Sequence, residues 1–161
     1  LFITTGDAQY AADMVSYQPR FPEYGDIGWQ STAILPVISM AVQGQRKARI
    51  GTNDITPREQ AAMTALQALA NNYVGQANQN GFAVPYAGTE YYWGSNGAHL
   101  NRAVVLATAY DGAGQANHKR AAVAVMDYLL GRNANGQSYI TGYGDVPMQN
   151  PHHRWRAVNA T

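Results

Sequence analysis

The sequence predicts an all-α fold, and three observations support that prediction. Apolar residues recur at helical spacing in five separate segments of the 161-residue chain. Turns rich in glycine and asparagine separate these segments, and helix-start signals precede several of them. No stretch alternates apolar and polar residues over the length that a substantial sheet requires. Helical hairpins in series form a solenoid or a closed toroid, and the lack of a fixed-period repeat disfavours the solenoid.

The first two helical segments are short. The first is predicted to begin after Asp7, whose carboxylate can cap it. The second follows Asp26, which we also interpret as a cap, and ends near Gly44. Pro36 lies inside the second segment, so we expect a kink or a late start there, because proline lacks the backbone donor that a helix interior uses.

The third segment is the clearest. Thr56 and Glu59 form a capping box, with Pro57 at the first helical position. Gly81 is expected to end this helix. Apolar residues at helical spacing predict one buried face. They are Ala62, Met63, Leu66, Leu69, Ala70, Tyr73, Val74 and Ala77.

Two further helices are predicted in the second half of the chain. The fourth runs from about Gly97 to Tyr110 and is expected to stop at Asp111 and Gly112. The fifth runs from about residue 117 to 130 and is expected to stop at Gly131.

Two long loops carry an unusual number of aromatic side chains. They are residues 81–96, which hold Tyr92 and Trp93, and residues 138–156, which hold Tyr143. Rings concentrated in loops indicate binding, and sugars offer C–H faces that stack on rings and hydroxyls that accept and donate hydrogen bonds. We expect both loops to lie at one end of the helices and to line a groove.

Composition excludes several classes of protein. The formal net charge is +1 and 13% of residues are charged, which argues against a nucleic-acid partner. No run of eighteen apolar residues indicates a membrane-spanning helix, so no membrane partner is expected. Cysteine is absent, so no disulfide framework or thiolate zinc site is expected. Composition alone favours an ordinary secreted helical domain.

Five motifs make the sequence specific. Asp127-Tyr128-Leu129-Leu130-Gly131-Arg132-Asn133 leads into Ser138-Tyr139-Ile140-Thr141-Gly142-Tyr143-Gly144 and then Asn150-Pro151-His152-His153-Arg154. This order resembles the C-terminal half of glycoside hydrolase family 9, the cellulase and endoglucanase family, where a helix runs into a loop ending in Pro-His-x-Arg. Tyr92-Trp93-Gly94-Ser95-Asn96 and Tyr24-Gly25-Asp26-Ile27-Gly28-Trp29 are similar to two further motifs of that family.

The resemblance implies a fold and an activity. The fold would be part of an (α/α)6 toroid, the six-hairpin glycosidase type, with residues 1–161 an internal or C-terminal fragment of a single catalytic domain. The activity would be endo-β-1,4-glucanase hydrolysis with inversion, by a secreted or extracellular enzyme. Such hydrolysis needs one carboxylate as the base and one carboxylic acid as the acid. By resemblance both carboxylates lie outside this chain, so its partners would be a β-1,4-glucan and the rest of the domain. No cofactor is evident here, and calcium, which is common in the family, has no assignable ligands.

The resemblance also assigns site residues. His152 and Arg154 match the family's substrate-contacting pair, and His152 is our candidate catalytic residue. Trp93 is expected to be a stacking platform, with a core position as the alternative. Tyr24 is a weaker platform candidate, and Tyr92 and Tyr143 either line the groove or pack inward. No metal site is assigned.

Some choices stay open on the sequence. Among the carboxylates, Glu90 and Asp145 are the two that we place near substrate, and no motif sets them opposite each other as an acid and a base. An exo-acting enzyme on cello-oligosaccharides or glucosamine oligomers would keep the same fold. A non-catalytic carbohydrate-binding module and a helical-repeat interaction protein are alternatives from other classes.

Overall fold

The structure is a computed structural model that describes residues 1–16, 26–28, 31–44, 56–86 and 88–151. The described residues form helices, with two isolated bridges between Gly28 and Ser31 and between Ser138 and Pro147 in place of any strand. The predicted all-α class is therefore confirmed. The helices are α1 (Phe2–Thr5), α2 (Ala8–Ser16), α3 (Leu35–Gly44), α4 (Thr56–Ala77), α5 (Ser95–Ala113) and α6 (Ala116–Leu129).

The starts of α2 and α3 show one correct and one wrong assignment of a cap. The Asp7 carboxylate accepts a hydrogen bond from the backbone N–H of Gln9 at 2.9 Å, as an N-cap does. The late start that Pro36 predicts is also found, because α3 begins only at Leu35. This places Pro36 in the first turn, where its missing N–H has no partner to lose. Asp26 is not a cap, since it lies well before α3 and serves another purpose described below.

The end of α5 differs from the prediction. The helix continues through Asp111 and Gly112 and ends only at Gly114, whose φ of 68° is left-handed and whose N–H donates to the Tyr110 carbonyl. A glycine inside a helix weakens it without ending it, whereas a glycine in the left-handed conformation reverses the chain. The predicted end of α6 before Gly131 is confirmed.

The helices pack against one another in chain order. Helix α3 packs on α4, α4 on α5 and α5 on α6, while α3 also contacts α5 and α4 also contacts α6. The main core lies among these four helices. Its buried members are Ile34, Val37, Ala41, Ala62, Leu66, Ala70, Tyr73, Val105, Leu106, Ala109 and Ala121.

A second, smaller core lies where α4 ends, α5 begins and α6 ends. It includes residues from the loop that precedes α5 and from the last turns of α6. The buried members of the second core are Val84, Tyr86, Ala98, Val125, Tyr128 and Leu129.

No helix within the described ranges is both long enough and apolar enough to cross a membrane.

Candidate functional site

The α4–α5 loop, residues 78–94, is held in shape from its start. The Asn80 side chain accepts hydrogen bonds from the N–H groups of Phe82 and Val84, each at 3.2 Å, and donates to the Val84 carbonyl at 2.6 Å. Val84 and Tyr86 are then buried in the second core. An amide that bonds to nearby backbone groups in this way fixes a turn that has no regular secondary structure. The loop is therefore anchored before its aromatic run begins.

The α6 loop, residues 130–151, is fixed by two buried polar side chains. The Asn133 amide donates to the carbonyls of Tyr128 and Gln137 at 2.7 and 2.8 Å. Ser138 pairs its backbone with Val146 and Met148. A Cβ at Gly144, whose φ is 86°, would come within 3.0 Å of the Ser138 Cβ, so this position requires glycine both for its backbone conformation and for space.

A cluster of rings joins the two loops. His99, on the first turns of α5, lies 4.0 Å from the Tyr86 ring and 5.0 Å from the Tyr128 ring, measured between centroids. Tyr91 of the α4–α5 loop packs on His99 at 5.5 Å, and Tyr139 of the α6 loop packs edge-on against Tyr128 at 5.9 Å. The expectation that both loops lie at one end of the helices is confirmed for the described residues. We call this region the aromatic end.

Burial sets the protonation state of His99. The side chain is fully buried, and burial, followed by the nearby positive charge of Arg102, lowers its pKa to about 4. Burial likewise raises the pKa of Tyr128 above its ordinary value, with smaller contributions from Tyr91 and Tyr139. The His99 and Tyr128 side chains of this ring cluster are therefore uncharged at neutral pH.

Four rings at the aromatic end are exposed, the least of them Tyr91 at 45%. Trp93 is 89% exposed, Tyr143 is 69% exposed and Tyr92 is 59% exposed. Trp93, Tyr92 and Tyr143 are therefore not part of the core that the described residues form. Gly94, with a φ of 81°, turns the chain directly into α5 after Trp93. Exposed rings of this size on ordered loops are typical of binding surfaces.

Beneath the exposed rings lies an ion-pair network that the sequence analysis missed. Arg102 is buried on α5, and its guanidinium donates to both oxygens of Asp26 and to both oxygens of Glu90. It also donates to Gln76 at 2.9 Å and to the Pro85 carbonyl. Asp26 is therefore not a cap, because its carboxylate pairs with Arg102. The Glu90 carboxylate likewise pairs with Arg102.

The sequence did contain a signal for this network. Arg102 stands four residues after Ala98 and three before Val105, which places it on the buried face of α5. A charged residue at an apolar position of a helix predicts a buried partner. Burial alone would lower the pKa of Arg102, but the two carboxylates more than offset that and raise it. Burial and the hydrogen bond to Asp26 also raise the pKa of Tyr73.

The described carboxylates do not form an acid and base pair. Asp26 and Glu90 are both paired with Arg102, Asp127 pairs at the surface with Arg132 at 3.7 Å, and Asp145 is exposed on the α6 loop. Within the described ranges no three His, Cys, Asp or Glu side chains come together as a metal site requires.

Three of the predicted site residues lie outside the described residues: Tyr24, His152 and Arg154. The structure does describe the α6 loop up to Pro151, the residue immediately before His152. That loop belongs to the aromatic end through Tyr139. The assignments of His152, Arg154 and Tyr24 stay predictions.

Comparison with known sequences identifies relatives along the whole chain. The pattern that defines Glycosyl hydrolase family 9 matches residues 1–161. Endoglucanase C of Cellulomonas fimi is 32% identical over 166 residues, which cover 98% of this chain and 14% of that protein. A cellulose 1,4-beta-cellobiosidase of Acetivibrio thermocellus is 30% identical over 96% of this chain and 19% of its own length. A xyloglucan-specific endo-beta-1,4-glucanase of Bacteroides ovatus is 30% identical over 98% and 26%.

Solved structures show the same architecture. The family 9 endoglucanase J30 superposes with a TM-score of 0.81 at 29% identity, over 98% of this chain and 28% of that one. The Bacteroides ovatus family 9 structure gives a TM-score of 0.80 at 30% identity, again over 98% and 28%. These neighbours are (α/α)6 toroids, so the described helices form part of such a toroid. The chain spans less than a third of the length of each of these relatives. It belongs to glycosyl hydrolase family 9.

Proposed function

We propose that the protein containing this chain is an endo-β-1,4-glucanase and that this chain supplies part of its substrate cleft. The observation that carries the proposal is the aromatic end. There, two loops of a family 9 chain contact the same buried ring, that of Tyr128, and carry the exposed rings of Trp93, Tyr92 and Tyr143. The names of two relatives, an endoglucanase and an endo-beta-1,4-glucanase, support the same substrate class.

The exposed rings have the chemistry that a glucan requires. An indole offers a flat apolar face large enough to cover a pyranose ring, and phenol rings add both a face and a hydroxyl. We assign stacking to Trp93, Tyr92 and Tyr143, with Tyr24 as a further platform. A groove lined by rings binds successive sugars of a chain, which suits a polymeric substrate.

Orientation of the sugar is assigned to the end of the α6 loop. The His152 imidazole and the Arg154 guanidinium can donate hydrogen bonds to sugar hydroxyls and hold the ring for attack. In inverting hydrolysis a carboxylate base activates water while a carboxylic acid protonates the leaving oxygen. We assign both carboxylates to the remaining part of the domain. His152 contributes by contact with the substrate. Because that substrate is a polymer, we assign the enzyme to the outside of the cell.

A second candidate keeps the site and changes the mode of attack. One relative is named a cellobiosidase and another, from Butyrivibrio fibrisolvens, a cellodextrinase. These names favour exo-action on cello-oligosaccharides as the alternative. An exo-acting enzyme releases reducing ends with little loss of viscosity, whereas an endo-acting enzyme lowers viscosity early. Glucosamine oligomers are a third candidate substrate, and the release of reducing ends from them can be measured in the same way.

The proposal is tested by reducing-sugar release from carboxymethyl cellulose by the complete protein. We expect release by the wild type and a loss of at least about tenfold in His152→Ala and in Arg154→Ala, because positioning contacts act directly on the rate. Trp93→Ala should lose about tenfold, while Trp93→Phe, the matched control, keeps a stacking ring and retains more activity. A folded wild type that binds glucan and releases nothing would instead support a non-catalytic binding module.

A further inference from the structure

We propose that Arg102 is a positioning residue that fixes the Trp93 platform relative to the rest of the cleft. It does so by holding the α4–α5 loop and the segment at Asp26 with a single buried guanidinium. The inference rests on the proposed function for the nature of its substrate, and on contacts of the described residues for everything else.

The first contacts are with the loop that carries Trp93. The guanidinium binds the Glu90 carboxylate at 3.1 and 3.2 Å and the Pro85 carbonyl, so it holds the loop at two points. From Glu90 onward the backbone is also hydrogen bonded. The Glu90 carbonyl accepts from the Tyr92 N–H at 2.9 Å, and the Tyr92 carbonyl accepts from Ser95, the first residue of α5, at 3.0 Å. Trp93 lies between these bonds, so its position follows from that of Glu90.

The second set of contacts is with the rest of the protein. The Arg102 Nε donates to both Asp26 oxygens at 3.1 Å, and Asp26 also accepts from the Tyr73 hydroxyl of α4. The neighbouring Asn101 donates to the Ile27 carbonyl at 2.9 Å. Two consecutive residues of α5 therefore hold the segment at residues 26–28. Arg102 in addition hydrogen bonds to the α4–α5 loop.

Arginine is specifically suited to this position. Its planar group makes hydrogen bonds through all three nitrogens and also lies 4.5 and 5.1 Å from the ring centroids of Tyr86 and Tyr73. Lysine carries the same charge as a point on a flexible stem and cannot bind two carboxylates while lying between two rings. Replacing Arg102 by lysine should therefore not preserve its role.

Charge also favours this arrangement. The Arg102 side chain is 5% exposed and stands between two partly exposed carboxylates. Without Arg102, Asp26 and Glu90 would be neighbouring like charges at the edge of a low-dielectric region and would repel each other. Glu90→Gln is the gentlest test, because it removes one carboxylate charge, keeps the side-chain shape and leaves the Arg102–Asp26 pair in place.

The test is a double-mutant cycle in the complete protein between Glu90→Gln and Trp93→Ala, with KM and kcat measured on cellopentaose. We expect Glu90→Gln to raise KM about threefold or more with a smaller change in kcat. We expect no further loss when it is combined with Trp93→Ala, because Glu90 then has no platform to position. Arg102→Lys should resemble Glu90→Gln or be more severe. Asp127→Asn, which removes a carboxylate from a surface ion pair, is the matched control and should leave KM unchanged.

A second measurement does not depend on activity. In protein labelled with 5-fluorotryptophan, the Trp93 fluorine resonance is identified by its absence in Trp93→Phe. We expect Glu90→Gln to shift or broaden that resonance and Asp127→Asn to leave it in place. An unchanged resonance, or additive effects in the cycle, would overturn the role of Arg102. A wild type that hydrolyses no β-1,4-glucan would overturn the proposed function alone, since the fluorine spectra would still decide the positioning role.

Discussion

At the scale of single residues, the aromatic end depends on polar side chains that are buried on α5. His99 and Arg102 are three residues apart on one face of the helix, and both are buried. Arg102 keeps its positive charge because the carboxylates of Asp26 and Glu90 pair with it and stabilise it. His99 is surrounded by tyrosine rings and stays neutral, with a pKa of about 4. Two buried positions on one face of the same helix thus differ in protonation, one charged and one neutral, because their partners differ.

The depressed pKa of His99 predicts a dependence of stability on pH. Between its ordinary pKa of about 6.5 and about 4, the unfolded chain binds a proton at this residue and the folded chain does not. Stability therefore falls as pH falls through that window. His99→Phe can stack on the same tyrosines and cannot titrate, so we expect it to reduce the loss of unfolding free energy between pH 7.5 and 4.5 by about 2 kcal/mol.

Urea unfolding of the complete protein at the two pH values measures this difference. Burial also lowers the pKa of His118, which contributes with the same sign, but His118 is present in both proteins and its contribution cancels. An equal loss of stability in wild type and His99→Phe would show that the histidine is not kept neutral by the fold.

At the scale of elements, α4 and α5 are the central helices, because α4 contacts α3, α5 and α6 and α5 contacts α3, α4 and α6. The buried face of α4 shows how this packing arises. Its buried side chains follow helical spacing along one face, at Ala62, Leu66, Ala70, Tyr73 and Ala77. Small residues alternate with large ones along this face, which lets neighbouring helices approach closely while the large side chains fill the space between them. The same face carries Tyr73 to Asp26, so the core helix also supports the ion-pair network.

This arrangement predicts unequal costs for two leucines on α4. Leu66 is fully buried in the main core, whereas Leu69, one turn further on, is only partly buried. We expect Leu66→Ala to lower the free energy of unfolding by about 2–5 kcal/mol, because it removes contacts and leaves a cavity. Leu69→Ala should cost clearly less. Chemical denaturation of the complete protein measures both, and equal losses would contradict the placement of the core.

At the scale of the whole molecule, the described helices leave apolar side chains on their outer surfaces. On α5 they lie four residues apart, and on α6 they fall at helical spacing along one stripe. Since this chain spans 28% of the length of its solved relatives, we expect the remaining helices of the toroid to cover these stripes. The exposed side chains are Leu100 and Val104 on α5, and Val123, Met126 and Leu130 on or just after α6.

Coverage by other helices predicts opposite effects of one substitution in two settings. In the isolated 161-residue chain, Met126→Gln should reduce aggregation and the binding of an apolar dye, because it removes exposed apolar surface. In the complete protein, the same change should lower stability by about 1 kcal/mol or more, because it buries an amide without a partner. Arg120→Gln, on the exposed side of α6, is the control and should have little effect in either setting. Effects of the same sign in both settings would show that the stripe is not covered.

Five of the six described helices were predicted from the sequence, because apolar spacing and turn residues are local properties, and only the short α1 was missed. The sequence predicted the buried face of α4, the cap at Asp7, the late start of α3 at Pro36 and the end of α6. It also identified the two aromatic loops and the resemblance to the family. Where it was wrong, at Asp26 and at the end of α5, a local signal had two possible uses. An aspartate can cap a helix or pair with a distant arginine, and only the position of Arg102 separates the two.

The tertiary structure alone decided which rings face solvent and which groups pair. Trp93 and Tyr91 are two residues apart in the same loop, yet Tyr91 packs on His99 and is 45% exposed whereas Trp93 is 89% exposed, a difference that no spacing rule predicts. The Arg102 network joins positions 26, 76, 85, 90 and 102, and its existence depends on how α4 and α5 pack together. Such a network forms only when residues far apart in sequence meet around a buried side chain, here that of Arg102. There, an ion pair requires matched geometry, and packing rather than local propensity supplies it.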